Sequence, residues 1–143
     1  MSIDNATIAR ACEQLVYRAA RYTDFEQWDD LAALFAVEGR LVRPSAPTKP
    51  IVGRADILAS LRARPSRTTR HVLNNIVVAV HSGTSAHISS IVTLYMSPVA
   101  GAVLPVKGQK ILIGQFEDDV VHIDGEWAFA LRGGSMALEF DCG

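Results

Sequence analysis

The run His71-Val72-Leu73-Asn74-Asn75-Ile76-Val77-Val78-Ala79-Val80 decides the fold. It is rich in β-branched residues and stops at the turn signal His81-Ser82-Gly83, so it reads as a strand. Strict alternation puts Leu73, Val77 and Ala79 on one face and Val72, Ile76, Val78 and Val80 on the other. Both faces are therefore apolar. A sheet with one solvated side would show a polar face. The reading that follows is a sheet covered by helices of its own chain on one side. A second copy covers the other, giving a homodimer through the sheet.

Outward toward the C-terminus the pattern stays extended. Ser85 to Met96 reads as a strand, and Pro98 to Pro105 as a loop. Val106 to Ile123 is a long strand, Asp124-Gly125 a hairpin turn, and Trp127 to Phe140 a last strand bent or bulged at Gly133-Gly134. Toward the N-terminus the period changes. Ile8, Ala11, Cys12, Leu15, Ala19 and Tyr22 recur at three- and four-residue steps, predicting a helix over 5–22. A second helix is expected from Phe25 to Val37, with Trp28, Leu31, Ala32, Leu34 and Phe35 on its buried side and Gly39 ending it. Arg40 to Arg43 reads as a short strand. Pro44, Pro47 and Pro50 forbid regular structure in the loop that follows, which is either a lid or a plain connector. A third helix spans Arg54 to Arg64 and stops at Pro65. Helices first and antiparallel strands afterwards define an α+β class rather than alternating βαβ units. The 143 residues suit a single domain over 1–143.

Composition narrows the function classes. With 49% hydrophobic and 20% charged residues the chain is globular, and no apolar run approaches a membrane span. A net charge of -1 argues against nucleic acid as a partner. The N-terminus shows no secretory pattern, and the two cysteines, Cys12 on a helical stripe and Cys142 near the end, suggest free thiols in a reducing cytoplasm. Arg54, Arg62, Arg64, Arg67 and Arg70 crowd one segment. They are either a solvated helix end or a dock for a carboxylate or phosphate.

The sharpest chemical lead is Asp24 with His71. A carboxylate can fix an imidazole's tautomer while the ring moves a proton. Asp24 has a second reading: Asp24-Phe25-Glu26-Gln27 fits a helix N-cap. Tyr22, near Asp24, and Tyr95, on the mixed face His87-x-Ser89-x-Ile91-x-Thr93-x-Tyr95, are candidates to polarise a carbonyl. Asn75, four residues past His71, shares its face by alternation. Asn75, Gln115, Trp28 and Phe116 are the candidates for holding a ligand. His81 and His122 lie at turns, and His87 fits either role. No histidine–acid spacing suits a metal, and no glycine-rich phosphate loop is present.

Three stretches carry a family resemblance. Tyr22-Thr23-Asp24-Phe25-Glu26-Gln27-Trp28-Asp29-Asp30-Leu31-Ala32-Ala33-Leu34-Phe35 is similar to the opening of SnoaL-like proteins of the NTF2-like superfamily. Thr69-Arg70-His71-Val72-Leu73-Asn74-Asn75 resembles that family's strand start, and Gly114-Gln115-Phe116-Glu117-Asp118 with Asp124-Gly125-Glu126-Trp127 its final hairpin. The resemblance implies helices in the mouth of a curved antiparallel sheet, forming a cone with an internal pocket. Among scytalone dehydratase-like members an aspartate and a histidine at the positions of Asp24 and His71 form the catalytic pair. Tyr95 stands near where those enzymes have a second histidine, and Gln115 near an asparagine; their serine has no clear match. Val16-Tyr17-Arg18-Ala19-Ala20-Arg21 and Pro65-Ser66-Arg67-Thr68-Thr69-Arg70-His71 also resemble the β subunit of ring-hydroxylating dioxygenases. That likeness implies a non-catalytic scaffold serving a metal-bearing oxygenase subunit. The first reading implies a cofactor-independent lyase or isomerase acting on an apolar or aromatic carbonyl compound. In it His71 takes the α-proton, Asp24 orients His71, and Tyr22 or Tyr95 holds the enolate oxygen.

Overall fold

A computed structural model describes residues 4–101 and 103–143. Helix α1 (Asn5–Asp24) starts at Asp4, whose carboxylate accepts the Thr7 N–H at 2.8 Å and satisfies one of the orphan donors of the first turn. Its stripe of Ile8, Cys12, Leu15, Val16, Ala19 and Ala20 is buried. Ile8, Leu15 and Val16 each contribute roughly 1.5–3 kcal/mol by full burial. Burial also pushes the Cys12 thiol up to about 11, so it is a packed, inert thiol, while Cys142 is exposed.

Helix α2 (Trp28–Ala33) is shorter than the expected Phe25 to Val37. The periodicity of Leu31 to Phe35 does not end in helix. Phe35 instead opens β1 (Phe35–Val42), because its ring packs on Phe129 with centroids 5.3 Å apart while its backbone joins the sheet. Gly39 therefore lies within β1 and caps no helix. A Cβ there would come within 2.8 Å of the Phe129 carbonyl, so the close approach of β1 requires glycine. Trp28 and Leu34 are half-buried, while Leu31, Ala32 and Phe35 are buried. The proline loop is irregular as expected and ends in the two-residue β2 (Ile51–Val52). Helix α3 (Arg54–Arg62) buries Ile57 and Leu61. Four strands follow: β3 (Thr68–Val80), β4 (Ser85–Ser97), β5 (Lys110–Ile123) and β6 (Glu126–Asp141). The strand expected from Val106 starts only at Lys110.

The six strands form one curved, unclosed sheet in the order β2-β1-β6-β5-β4-β3. All neighbours are antiparallel except β1 and β6, which run parallel. The helices pack into its concave side around Ile8, Leu15, Phe35, Ile57, Ile88 and Phe129.

Bulges reset which side chains face inward. In β3 the register against β4 shifts between Asn74 and Val77, and Asn75 takes φ 51°, a left-handed conformation that asparagine tolerates. Strict alternation therefore fails at this point. Leu73 joins Ile76, Val78 and Val80 against the core, while Val72 and Val77 are exposed on the convex side. In β6 the bend expected at Gly133-Gly134 is displaced. Register shifts flank that pair, leaving Ala130 and Ala137 unpaired between matched neighbours. Gly134 instead makes room for Pro44, whose ring carbons would lie 3.2 Å from a Cβ there. Among the described residues no helix is long and apolar enough to cross a membrane.

Candidate active site

Asp24 is the last residue of α1, so its side chain leaves the helix toward the start of β3. Its Oδ1 accepts the Thr69 hydroxyl at 2.9 Å and its Oδ2 the His71 backbone N–H at 2.9 Å. The His71 ring closes the set, with Nδ1 2.5 Å from Oδ1. Among the described residues no side chain caps α2, so the N-cap reading of Asp24 gives way to this bridge between helix and sheet. A carboxylate can only accept, so Nδ1 carries the hydrogen, and in the neutral ring Nε2 keeps its lone pair. The side chains of His71 and Asp24 are 11% and 7% exposed, which shields the pair from solvent exchange. Glu26, itself at φ 54°, repeats the device one step away. Its carboxylate accepts the Ser66 hydroxyl and the Arg67 N–H, fixing the segment that leads into β3.

His71 lines a cavity of about 800 Å³ between the helices and the concave sheet. Its wall is largely apolar, with Leu31, Leu61, Leu94, Leu112, Phe116 and Met136 among its residues. Arg132 of β6 also lines it. Its guanidinium donates to Asp118 Oδ2 at 3.1 Å and lies over the rings of Phe116, 3.8 Å from the centroid, and Phe129, 4.7 Å. Asp118 is fully buried. Burial holds its carboxyl above the usual range while the adjacent Arg132 pulls it back down. Its second oxygen has no hydrogen-bond partner among the described residues.

The other sequence candidates separate by face. Phe116 lines the cavity. Tyr22 is half-buried against the core but is not part of the cavity wall. Tyr95 is 47% exposed on the convex side, because inward positions of β4 are the even-numbered Ile88, Ser90, Val92 and Leu94. Gln115 also faces outward, where its amide donates to Glu117 Oε1 at 2.5 Å. Asn75 is exposed at the bulge, so it does not share the inward face of His71. Trp28 stands outside the cavity wall, with the Arg64 guanidinium 5.8 Å from its ring.

His87 belongs to a second polar cluster, on the convex side. Its Nδ1 contacts Asp119 Oδ1 at 2.7 Å and its Nε2 contacts Glu117 Oε2 at 2.6 Å. Hydrogen bonds that its ring donates to Asp119 and Glu117 raise its pKa, and the bond accepted from His87 lowers that of Glu117. Sequence reasoning missed Arg132 and Asp118 as a cavity pair. Arg132 is the one charge in the segment Ala128–Gly134, but Asp118 is the middle of three consecutive acids, and only the register set by the Ala130 bulge shows that it is Asp118 that faces Arg132. Among the described residues no three His, Cys, Asp or Glu side chains gather as metal ligands.

A family model described as a SnoaL-like domain matches residues 4–133. The architecture is the NTF2-like α+β cone. A structure from Novosphingobium aromaticivorans DSM 12444, described as "Putative Scytalone Dehydratase", is 26% identical with a TM-score of 0.81, covering 97% of this chain and 90% of that one. A hexachlorocyclohexane dehydrochlorinase (LinA) Type2 is 14% identical, TM-score 0.79, covering 96% and 90%. A structure from Novosphingobium aromaticivorans described as "Putative Aromatic Ring Hydroxylase" is 16% identical, TM-score 0.77, covering 97% and 96%. No curated protein matches the chain.

Proposed function

The chain belongs to the SnoaL-like domain family, and on that premise we propose that it is a cofactor-independent lyase or isomerase moving a proton on an apolar carbonyl compound. The observation that carries this reading is the 2.5 Å contact between His71 Nδ1 and Asp24, made at the wall of a largely apolar cavity. The general type is that of the neighbours whose descriptions name a dehydratase and a dehydrochlorinase.

The chemistry needs a base, a group to hold it and a group to receive charge. His71 Nε2 takes the proton from the carbon α to the carbonyl, and the electron pair of that C–H bond moves onto the carbonyl oxygen. Asp24 stabilises the resulting imidazolium and keeps the ring from rotating. Tyr22 and Tyr95 lie off the cavity wall, so the enolate oxygen falls to Arg132, the cation held by Asp118 and the rings of Phe116 and Phe129. Collapse of the enolate then either expels a leaving group from the β-carbon, which takes the proton back from His71, or accepts that proton at another carbon. The first outcome is elimination and the second isomerisation. The apolar wall excludes water that would otherwise quench the enolate.

The test uses simple ketones in D2O, 2-acetylnaphthalene and 2-tetralone, followed by proton NMR. The wild-type protein should speed exchange of the α-protons, and His71→Ala should lose that acceleration by roughly 10²–10⁴-fold. Acceleration that survives in a folded His71→Ala protein overturns the reading. A wild-type protein that binds these ketones without exchanging their protons would shift it to a ligand-binding or scaffold subunit.

A further inference from the structure

Five arginines crowd residues 54–70, and the structure divides them. Arg54 donates through Nε and Nη2 to the Phe35 carbonyl, at 3.0 and 2.6 Å. Arg62 pairs with Asp29 at 2.6 Å. Arg70 bonds the Thr69 carbonyl at 2.7 Å and lies over Phe25. These three hold helices and strand ends together. Arg64 and Arg67 do not share that work. Both line the same cavity as His71, and Arg43, just past the end of β1, joins them there.

Three guanidiniums on one wall repel one another. Among the described residues no carboxylate comes within ion-pair distance of any of them. The nearby acids are otherwise occupied: Glu26 accepts from Ser66 and the Arg67 backbone, and Glu139 pairs with Lys110 at 3.2 Å. Burial together with the neighbouring Arg43 and Arg67 pushes the Arg64 guanidinium down to about 10. Half-buried, unneutralised like charges destabilise an empty site. Trp28 offers the Arg64 cation its ring, which positions it but leaves its charge uncompensated. Pro44 and Pro65 flank two of the three arginines and restrict the backbone at both.

We propose that Arg43, Arg64 and Arg67 form an anion subsite, so that the molecule bound in the cavity carries a carboxylate or phosphate. Guanidiniums suit both groups because their planar donors match paired oxygens. The ligand is then amphipathic. Its apolar body lies against Leu61, Leu94, Leu112 and Met136, its reacting carbon reaches His71, and its anionic group meets the three arginines. The inference names the substrate class of the proposed site and rests on that reading for its catalytic consequence, but not for the binding itself.

Binding of three probes on one skeleton tests it by NMR or fluorescence titration: 2-naphthoate, 2-naphthyl phosphate and the neutral 2-acetylnaphthalene. The wild-type protein should bind at least one anionic probe about tenfold or more tightly than the neutral one at low salt. The advantage should shrink as NaCl is raised. The triple substitution Arg43→Gln, Arg64→Gln, Arg67→Gln should erase it while binding of 2-acetylnaphthalene is retained, which also reports an intact cavity. The tighter of the two anions identifies the preferred group. Equal or tighter binding of the neutral probe by the wild-type protein overturns the subsite, and that result needs no variant. So does an anionic preference that persists in the triple variant. His71→Ala should leave the probe preference unchanged, so loss of proton exchange and loss of anion preference are separable failures.

Discussion

The two faces of the sheet each carry a histidine held by carboxylate at nearly the same distance. On the concave side His71 meets Asp24 at 2.5 Å, and on the convex side His87 meets Glu117 at 2.6 Å and Asp119 at 2.7 Å. Contact length does not separate them. Their surroundings do. Asp24 is also gripped by Thr69 and the β3 backbone, its partner lines a cavity, and one ring nitrogen of His71 remains for a ligand. His87 has both nitrogens occupied by acids and a side chain 35% exposed in the single chain. A histidine with both nitrogens bonded to acids is biased toward its charged form, which has no lone pair to give. One with a single acid partner keeps a base.

The largest contrast is expected between consecutive residues on opposite faces. Asp118→Ala should cost about 3–5 kcal/mol in urea unfolding, because it leaves the Arg132 cation largely buried without its carboxylate. Asp119→Ala, removing an exposed partner of His87, should cost under about 1 kcal/mol. Equal costs would break the distinction between the faces.

The sequence carries the order of the elements and the Asp24–His71 lead but leaves the role of His87 open, and the limits have physical causes. The order of helices and strands follows from hydrophobic period, and the pairing of Asp24 with His71 from the likeness to scytalone dehydratase-like proteins. The convex and concave sets were not fully legible, because one inserted residue reverses alternation. Asn75 at φ 51° moves off the face of His71, and the extra Ala130 brings Arg132 onto the inner side opposite Asp118. The spacing of Phe35 from Leu31 fits a helix, but long-range pairing with Phe129 overrides that local pattern. Tyr95 is a candidate by its hydroxyl and by its place near the family's second histidine, yet β4 keeps regular register through Leu94 and Tyr95 and turns it outward.

Two smaller effects sharpen the inner pair. Asp24→Asn keeps the shape but replaces an ionised acceptor by a neutral amide. Proton exchange on the ketone probes should fall roughly 10²-fold. Thr69→Val removes one of the bonds that aim Asp24 and leaves an isosteric methyl. The loss should be about tenfold or less, as one neutral hydrogen bond contributes roughly 1 kcal/mol. An undiminished rate in both variants would mean that Asp24 serves only to tie α1 to β3.

The smallest effect lies on the convex side and depends on pH. The raised pKa of His87 contributes stability that is fully present below its ordinary value near 6.5 and lost as pH rises through the folded value. The lowered pKa of Glu117 contributes stability present above about 4.5 and lost as pH falls through its folded value. Both contributions coincide between these limits. Urea midpoints measured from pH 5 to pH 9 should decline modestly on the alkaline side, by under about 1 kcal/mol for so exposed a cluster. His87→Gln should flatten that decline. An unchanged slope in the variant would assign it to other groups.

The central claim is that proton transfer belongs to the concave pair and not to its convex counterpart. The most direct measurement is the α-proton exchange rate of 2-acetylnaphthalene in D2O with three proteins: wild type, His71→Ala and His87→Ala. The account predicts a wild-type rate well above buffer, retained within about twofold in His87→Ala and lost by roughly 10²–10⁴-fold in His71→Ala. Comparable losses in both variants, or a loss confined to His87→Ala, would contradict it.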